Sequence, residues 1–190
     1  MPHSLPVKPL SSKAGQTLLC VARQALEAAA NGRHYPEPDT DPDLREPTAC
    51  FVTLNKQGQL RGCIGSLEAH QPLIESVIKN TFSAALSDPR FPPVEADEVD
   101  AVDIEISVLT NLQPVQFDSE QQLLEQLRPF TDGLVMQKGA RRATFLPSVW
   151  KQLPDKQEFL RQLKKKAGLA EDYWSDNIKA YRYQAQILTE

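Results

Sequence analysis

No segment of this chain approaches the roughly 20 consecutive apolar residues of a membrane span, and Met1 to Leu10 holds no apolar stretch that could serve as a signal peptide. A soluble, cytoplasmic protein with no membrane partner is therefore expected. Cysteine is scarce: Cys20, Cys50 and Cys63 are far apart, odd in number and without a Cys-x-x-Cys pair, so neither a disulfide framework nor a structural zinc site is indicated. Histidine is as sparse. His3, His34 and His70 form no ligand set at helical spacing, and no metal or other cofactor is expected. Positive charge is not in excess either, with 21 Lys and Arg against 25 Asp and Glu for a net charge of −4, which argues against nucleic acid as a partner. The local basic runs, Lys138 with Arg141 and Arg142, and Lys164 to Lys166 at a helix end, read as solvated surface.

What remains is a 190-residue chain long enough for one well-buried core, read as a single domain over 1–190 with irregular stretches at 1–10 and 35–47. Ser11 or Ser12 can cap a helix whose apolar stripe runs through Leu18, Leu19, Ala22, Leu26 and Ala29, with Gly32 just beyond its end. Ala49 to Leu54 and Gln59 to Ile64 read as a β-hairpin about Asn55-Lys56-Gln57-Gly58. A helix follows Pro72 and stops at Asp88-Pro89, and Ala101 to Leu109 alternates as a half-buried strand. The second half repeats this order. A linking helix at Leu123 to Leu127 leads to a hairpin about Lys138-Gly139-Ala140, helices near Val149 to Leu153 and Glu158 to Ala167, and a last strand from about Ala180 to Leu188. Two units, 49–110 and 133–188, hint at duplication, and the fold expected is α+β around a largely antiparallel sheet.

One stretch stands out: Leu60-Arg61-Gly62-Cys63-Ile64-Gly65 sets a thiol between two glycines, with an arginine two residues away on the same strand face. Cys63 is the candidate nucleophile, and Arg61 the group that would favour its anion. The plain alternative is a buried cysteine filling space beside a helix. Cys50, on the partner strand, could lie near Cys63 depending on register. Gly62 and Gly65 do not have the spacing of a dinucleotide fingerprint, but would let a ligand or another backbone come close. Asp88 and Arg90 form a second cluster in a Pro-bounded turn. Arg90 could clamp a carboxylate or phosphate, or else the two bond each other and the loop backbone.

Together these motifs resemble a known family. Leu60 to Gly65, Asn80-Thr81-Phe82-Ser83-Ala84-Ala85, Asp88-Pro89-Arg90-Phe91-Pro92-Pro93, Ile106-Ser107-Val108-Leu109, Asp132-Gly133-Leu134-Val135 and Ala143-Thr144-Phe145-Leu146-Pro147-Ser148-Val149-Trp150 look like the AMMECR-type domain, known in bacteria as AmmeMemoRadiSam system protein A. The resemblance covers essentially the whole chain. It departs at Thr81, where bacterial members often carry alanine, and at His70, which is outside the pattern. It implies a larger and a smaller lobe with the Leu-Arg-Gly-Cys-Ile-Gly motif near the cleft between them. It also implies a partnership with a Memo-like protein and a radical S-adenosylmethionine enzyme. The function expected is that of an accessory protein holding a small-molecule ligand or a partner segment at Arg61, Gly62, Cys63, Gly65, Asp88 and Arg90. The alternative is an enzyme with Cys63 as nucleophile or acyl carrier and Arg61 stabilising the anion.

Overall fold

The computed structural model describes residues 9–35 and 42–190; His3, most of the expected irregular stretch at 1–10 and the middle of the one at 35–47 lie outside them, and Pro42–Leu44 of the latter form a short 3-10 helix. The first helix, α1 (Ser12–Ala30), is capped by Ser11, whose hydroxyl accepts the Ala14 N–H at 3.2 Å, and Gly32 beyond its end takes a positive φ of 64°. The hairpin strands are β1 (Cys50–Lys56) and β2 (Gln59–Gly65). They are longer than the expected runs because the turn is only Gln57-Gly58, both with positive φ as a tight hairpin turn requires. Then come α2 (Leu73–Leu86), β3 (Val102–Leu109), β4 (Gln113–Val115), α3 (Glu120–Gln126), β5 (Gly133–Lys138), β6 (Arg141–Phe145), α4 (Lys156–Lys166), β7 (Lys179–Tyr183) and β8 (Ala185–Thr189).

The strands form two antiparallel sheets in the orders β2-β1-β3-β8 and β4-β7-β5-β6. In each, a hairpin is extended by a third strand paired to the hairpin's first strand, β3 on β1 and β7 on β5. The described residues divide into two compact units, one comprising Thr110–Ala185 and the other the described residues of 9–109 with Gln186–Glu190.

Two elements differ from the sequence reading. The expected last strand is two strands that break at Gln184, where the Thr110 N–H donates to the Gln184 carbonyl and the Thr110 hydroxyl accepts the Gln184 N–H. The first half joins one sheet and the second half the other. The short β4 went unseen because it contains Pro114, which a ladder tolerates only at an edge such as this one.

In the unit with the first sheet, one face is covered by both helices. Cys50, Val52, Leu54, Ile104, Ile106 and Val108 pack there against Leu18, Leu26, Val77 and Ala84. The alternation expected of β3 holds for its first half only, since Ser107 and Leu109 on the opposite face are also buried.

The other unit has its own core. Trp150 and Phe159 stack at 3.6 Å between ring centres, and Phe145, Tyr173 and Trp174 pack around that core. Lys164 is not solvated surface. Its side chain is 1% exposed, and its ammonium donates to the Glu120 carboxylate at 2.7 Å and lies over the Trp174 ring.

Candidate functional site

β2 is an edge strand, and its odd-numbered residues turn their peptide groups away from β1. An exposed edge invites pairing with another chain, so it must be covered or charged. Asp88 and Arg90 cover it. The Cys63 N–H donates to Asp88 Oδ2 at 2.9 Å, and Arg90 Nη2 donates to the Cys63 carbonyl at 3.3 Å, so two side chains satisfy the peptide as a neighbouring strand would. Arg90 also forks onto Asp88, Nε to Oδ1 at 2.9 Å and Nη2 to Oδ2 at 2.7 Å, and its backbone N–H donates to Oδ1 at 3.1 Å. These donors hold the buried Asp88 carboxyl well below the usual carboxylate range, first through the Arg90 side chain. The cluster that read as a possible anion clamp thus spends its charge on itself and on the loop.

Arg61 is held as firmly. Nη1 donates to the Pro92 carbonyl at 2.8 Å, and Nη2 to the Pro93 carbonyl at 3.1 Å and to Glu98 Oε1 at 2.6 Å; Nε donates to Glu98 Oε2 at 3.3 Å. Lys56 Nζ adds a 2.6 Å contact to Glu98. Arg61, chiefly, with Lys56, lowers the Glu98 pKa to about 2. With every guanidinium nitrogen engaged and only 13% of its side chain exposed, Arg61 ties the 92–98 loop to β2 and offers little to a ligand.

The two glycines have packing reasons too. A Cβ on Gly62 would sit 2.3 Å from the Ala84 carbonyl oxygen, so glycine here lets α2 lie against β2. A Cβ on Gly65 would sit 2.4 Å from both the Cys50 carbonyl oxygen and the Phe51 ring. The space expected for a ligand is filled by the protein's own backbone and ring. Thr81 is likewise internal, its hydroxyl donating to the Val77 carbonyl at 2.7 Å inside α2, and the exposed His70 pairs with Glu68.

Cys63 is different: its side chain is half-buried and sits on the sheet face away from the helices. Register places Thr53 directly opposite, and Thr53 Oγ1 lies 3.3 Å from Cys63 Sγ with its hydroxyl directed at the sulfur. The same register rules out a redox pair with Cys50, which points into the helix-covered core. Burial pushes the Cys50 thiol up to about 12.

Beyond Thr53, on β3, stands Glu105, and one row along lies Ser107, opposite Phe51. Ser107 Oγ is buried with no hydrogen-bond partner among the described residues, an arrangement that costs about 1–3 kcal/mol. Sequence reasoning missed Thr53, Glu98, Glu105 and Ser107. Only the alternation of β3, which sets Asp103 and Glu105 opposite the apolar positions, hinted at one of them, Glu105, because register and loop closure are not written locally. Among the described residues no group of three or more His, Cys, Asp or Glu side chains could hold a metal ion, and no helix is long and apolar enough to cross a membrane.

Known proteins are similar to this chain over nearly its whole length. The chain is 42% identical over 190 residues to a protein of Methanothermobacter thermautotrophicus, covering 96% of this chain and 97% of the relative. It is 40% identical over 189 residues to protein TK0174 of Thermococcus kodakarensis, covering 93% and 90%. The crystal structure of the uncharacterized protein PH0010 from Pyrococcus horikoshii superposes with a TM-score of 0.87 at 36% identity, covering 94% of this chain and 92% of that one. The family model described as AMMECR1 matches residues 19–188, and with these likenesses it places the chain in the AMMECR1 family.

Proposed function

We propose that this AMMECR1-family chain is a binding component, which presents the sheet face around Cys63 to a small ligand or to an extended segment of a partner protein. A Memo-like protein and a radical S-adenosylmethionine enzyme are the partners the family resemblance suggests. One observation carries the reading. Arg61, Gly62, Gly65, Asp88 and Arg90 are each committed to the scaffold, whereas Cys63 is held in place by them and keeps its sulfur on a helix-free face. A thiol positioned with this much supporting structure serves recognition better than it serves packing. Titration calorimetry with the purified Memo-like protein is the test. Cys63→Ala and Thr53→Val should weaken binding at least tenfold while the melting temperature stays within two or three degrees; unchanged affinity in both would refute the reading.

The half-buried Cys63, on the face away from the helices, also favours a second reading, in which it is a nucleophile or acyl carrier. The group donating to its thiolate would then be the Thr53 hydroxyl rather than Arg61, whose nitrogens are engaged elsewhere. That reading requires Cys63 to be alkylated by iodoacetamide faster than the exposed Cys20, and an equal or slower rate overturns it.

A further inference from the structure

Two polar side chains on the Cys63 face have no partner among the described residues, and they are neighbours. Directly paired residues, and residues two apart on one strand, share a face of a sheet. The pairs Cys63 with Thr53, Thr53 with Glu105, Gly65 with Phe51, and Phe51 with Ser107 therefore set Cys63, Thr53, Glu105 and Ser107 on one side. Ser107 is 1% exposed and its Oγ is unpaired. Glu105 is half-buried and makes no hydrogen bond or ion pair among the described residues. Nearby carboxylates are treated otherwise, Glu98 being neutralised by Arg61 and Lys56, while Asp103 on the next row is exposed.

From this we infer a ligand subsite, resting on the binding-face reading above, in which Glu105 takes a protonated amine and Ser107 Oγ hydrogen-bonds a polar group of the same ligand. The chemistry follows from spacing and charge. Two residues along a strand separate Glu105 from Ser107 by about 6.8 Å, close to the reach of a four-carbon stem between an amine and an amide. Phe51, on the row of Ser107, supplies an apolar wall for such a stem, since its ring is drawn over Gly65 toward the strand edge. Cys63, two strands from Glu105 and so about 10 Å away, would meet the ligand's far end. The ligand class that fits is a lysine side chain of a peptide, or a small ω-amino compound of that length.

The probe is Nα-acetyl-lysine methylamide, titrated into the 15N-labelled full chain, with the norleucine analogue, which lacks only the amine, as control. The amides of Thr53, Glu105 and Ser107 should shift saturably with the lysine probe and not with the control. Glu105→Gln should abolish the shift and Ser107→Ala weaken binding at least fivefold, with the melting temperature of Ser107→Ala unchanged or higher. No saturable shift, equal shifts with norleucine, or retention of binding in Glu105→Gln overturns the subsite, and full binding by Ser107→Ala assigns its hydroxyl to water and overturns the hydrogen bond. If the probe fails while Cys63→Ala still weakens the Memo-like partner, only the subsite falls; if the probe binds while Cys63→Ala leaves that partner's affinity intact, it is the docking role that falls.

Discussion

Removing the Asp88 carboxylate is the sharpest perturbation of the Cys63 scaffold. In Asp88→Ala the Cys63 N–H and the Arg90 N–H both lose their acceptor, and the Arg90 guanidinium loses its counter-ion. Hydrogen bonds to a charged group are worth about 1.5–3 kcal/mol each, and breaking a buried pair costs about 3–5 kcal/mol. Arg90 is 53% exposed on its side chain and recovers much of its hydration, so the low end applies, about 3 kcal/mol in all. Asp88→Asn keeps an oxygen for the Cys63 N–H and gives up only the charge, for about 1–2 kcal/mol. Urea unfolding at neutral pH should rank wild type above Asn above Ala, and amide exchange at Cys63 should accelerate in the alanine variant because its N–H is no longer bonded. The freed edge of β2 should also make Asp88→Ala self-associate at high concentration. A stability loss under 1 kcal/mol with Cys63 exchange unchanged would refute the view that Asp88 and Arg90 stand in for a neighbouring strand.

Other consequences are equally concrete. Gly62→Ala drives a methyl into the Ala84 carbonyl, and neither backbone can yield cheaply, so a loss of about 2–4 kcal/mol is expected by denaturant titration; a silent substitution would mean that α2 does not lie against β2 as described. The pKa of Glu98 is depressed from 4.5 to about 2. Its contribution to stability is therefore complete above pH 4.5 and lost as pH falls from there toward 2. The full shift would be worth about 3 kcal/mol, which screening at the loop rim reduces to about 1–2 kcal/mol, so Glu98→Gln should remove that much at pH 7 and flatten the acid limb of the stability curve. Phe130 holds a φ of 62° with 63% of its surface exposed, so Phe130→Gly should stabilise the chain by about 1 kcal/mol; a lower melting temperature would indicate a packing role for the ring.

How much of this was legible beforehand follows the range of the forces involved. Caps, turns and alternation are local, so α1 with Ser11, the hairpins at Gly58 and Gly139, and the apolar face of β3 could all be read from neighbouring residues. The split of the last strand at Gln184 depends on Thr110, 74 positions away, and left no local trace. At the site, Cys63 was conspicuous, but the partners that give Arg61 and the two glycines their meaning come from the 92–98 loop, from α2 and from β1. Glycines that read as room for a ligand are room for a helix carbonyl and a phenyl ring. Lys164 misled for the same reason: a basic helix end is usually wet, and only tertiary packing brings Glu120 and Trp174 over it.

The central claim is that Cys63 and Thr53 form the working part of a face whose other motif residues hold it in place. Calorimetric titration of the Memo-like protein into wild type, Thr53→Val and Arg90→Ala compares the two roles directly. Thr53→Val should lose at least tenfold in affinity with an unchanged melting temperature, whereas Arg90→Ala should lower the melting temperature with affinity retained below its unfolding transition. The reverse pattern, affinity lost with Arg90 and kept without the Thr53 hydroxyl, would contradict the claim.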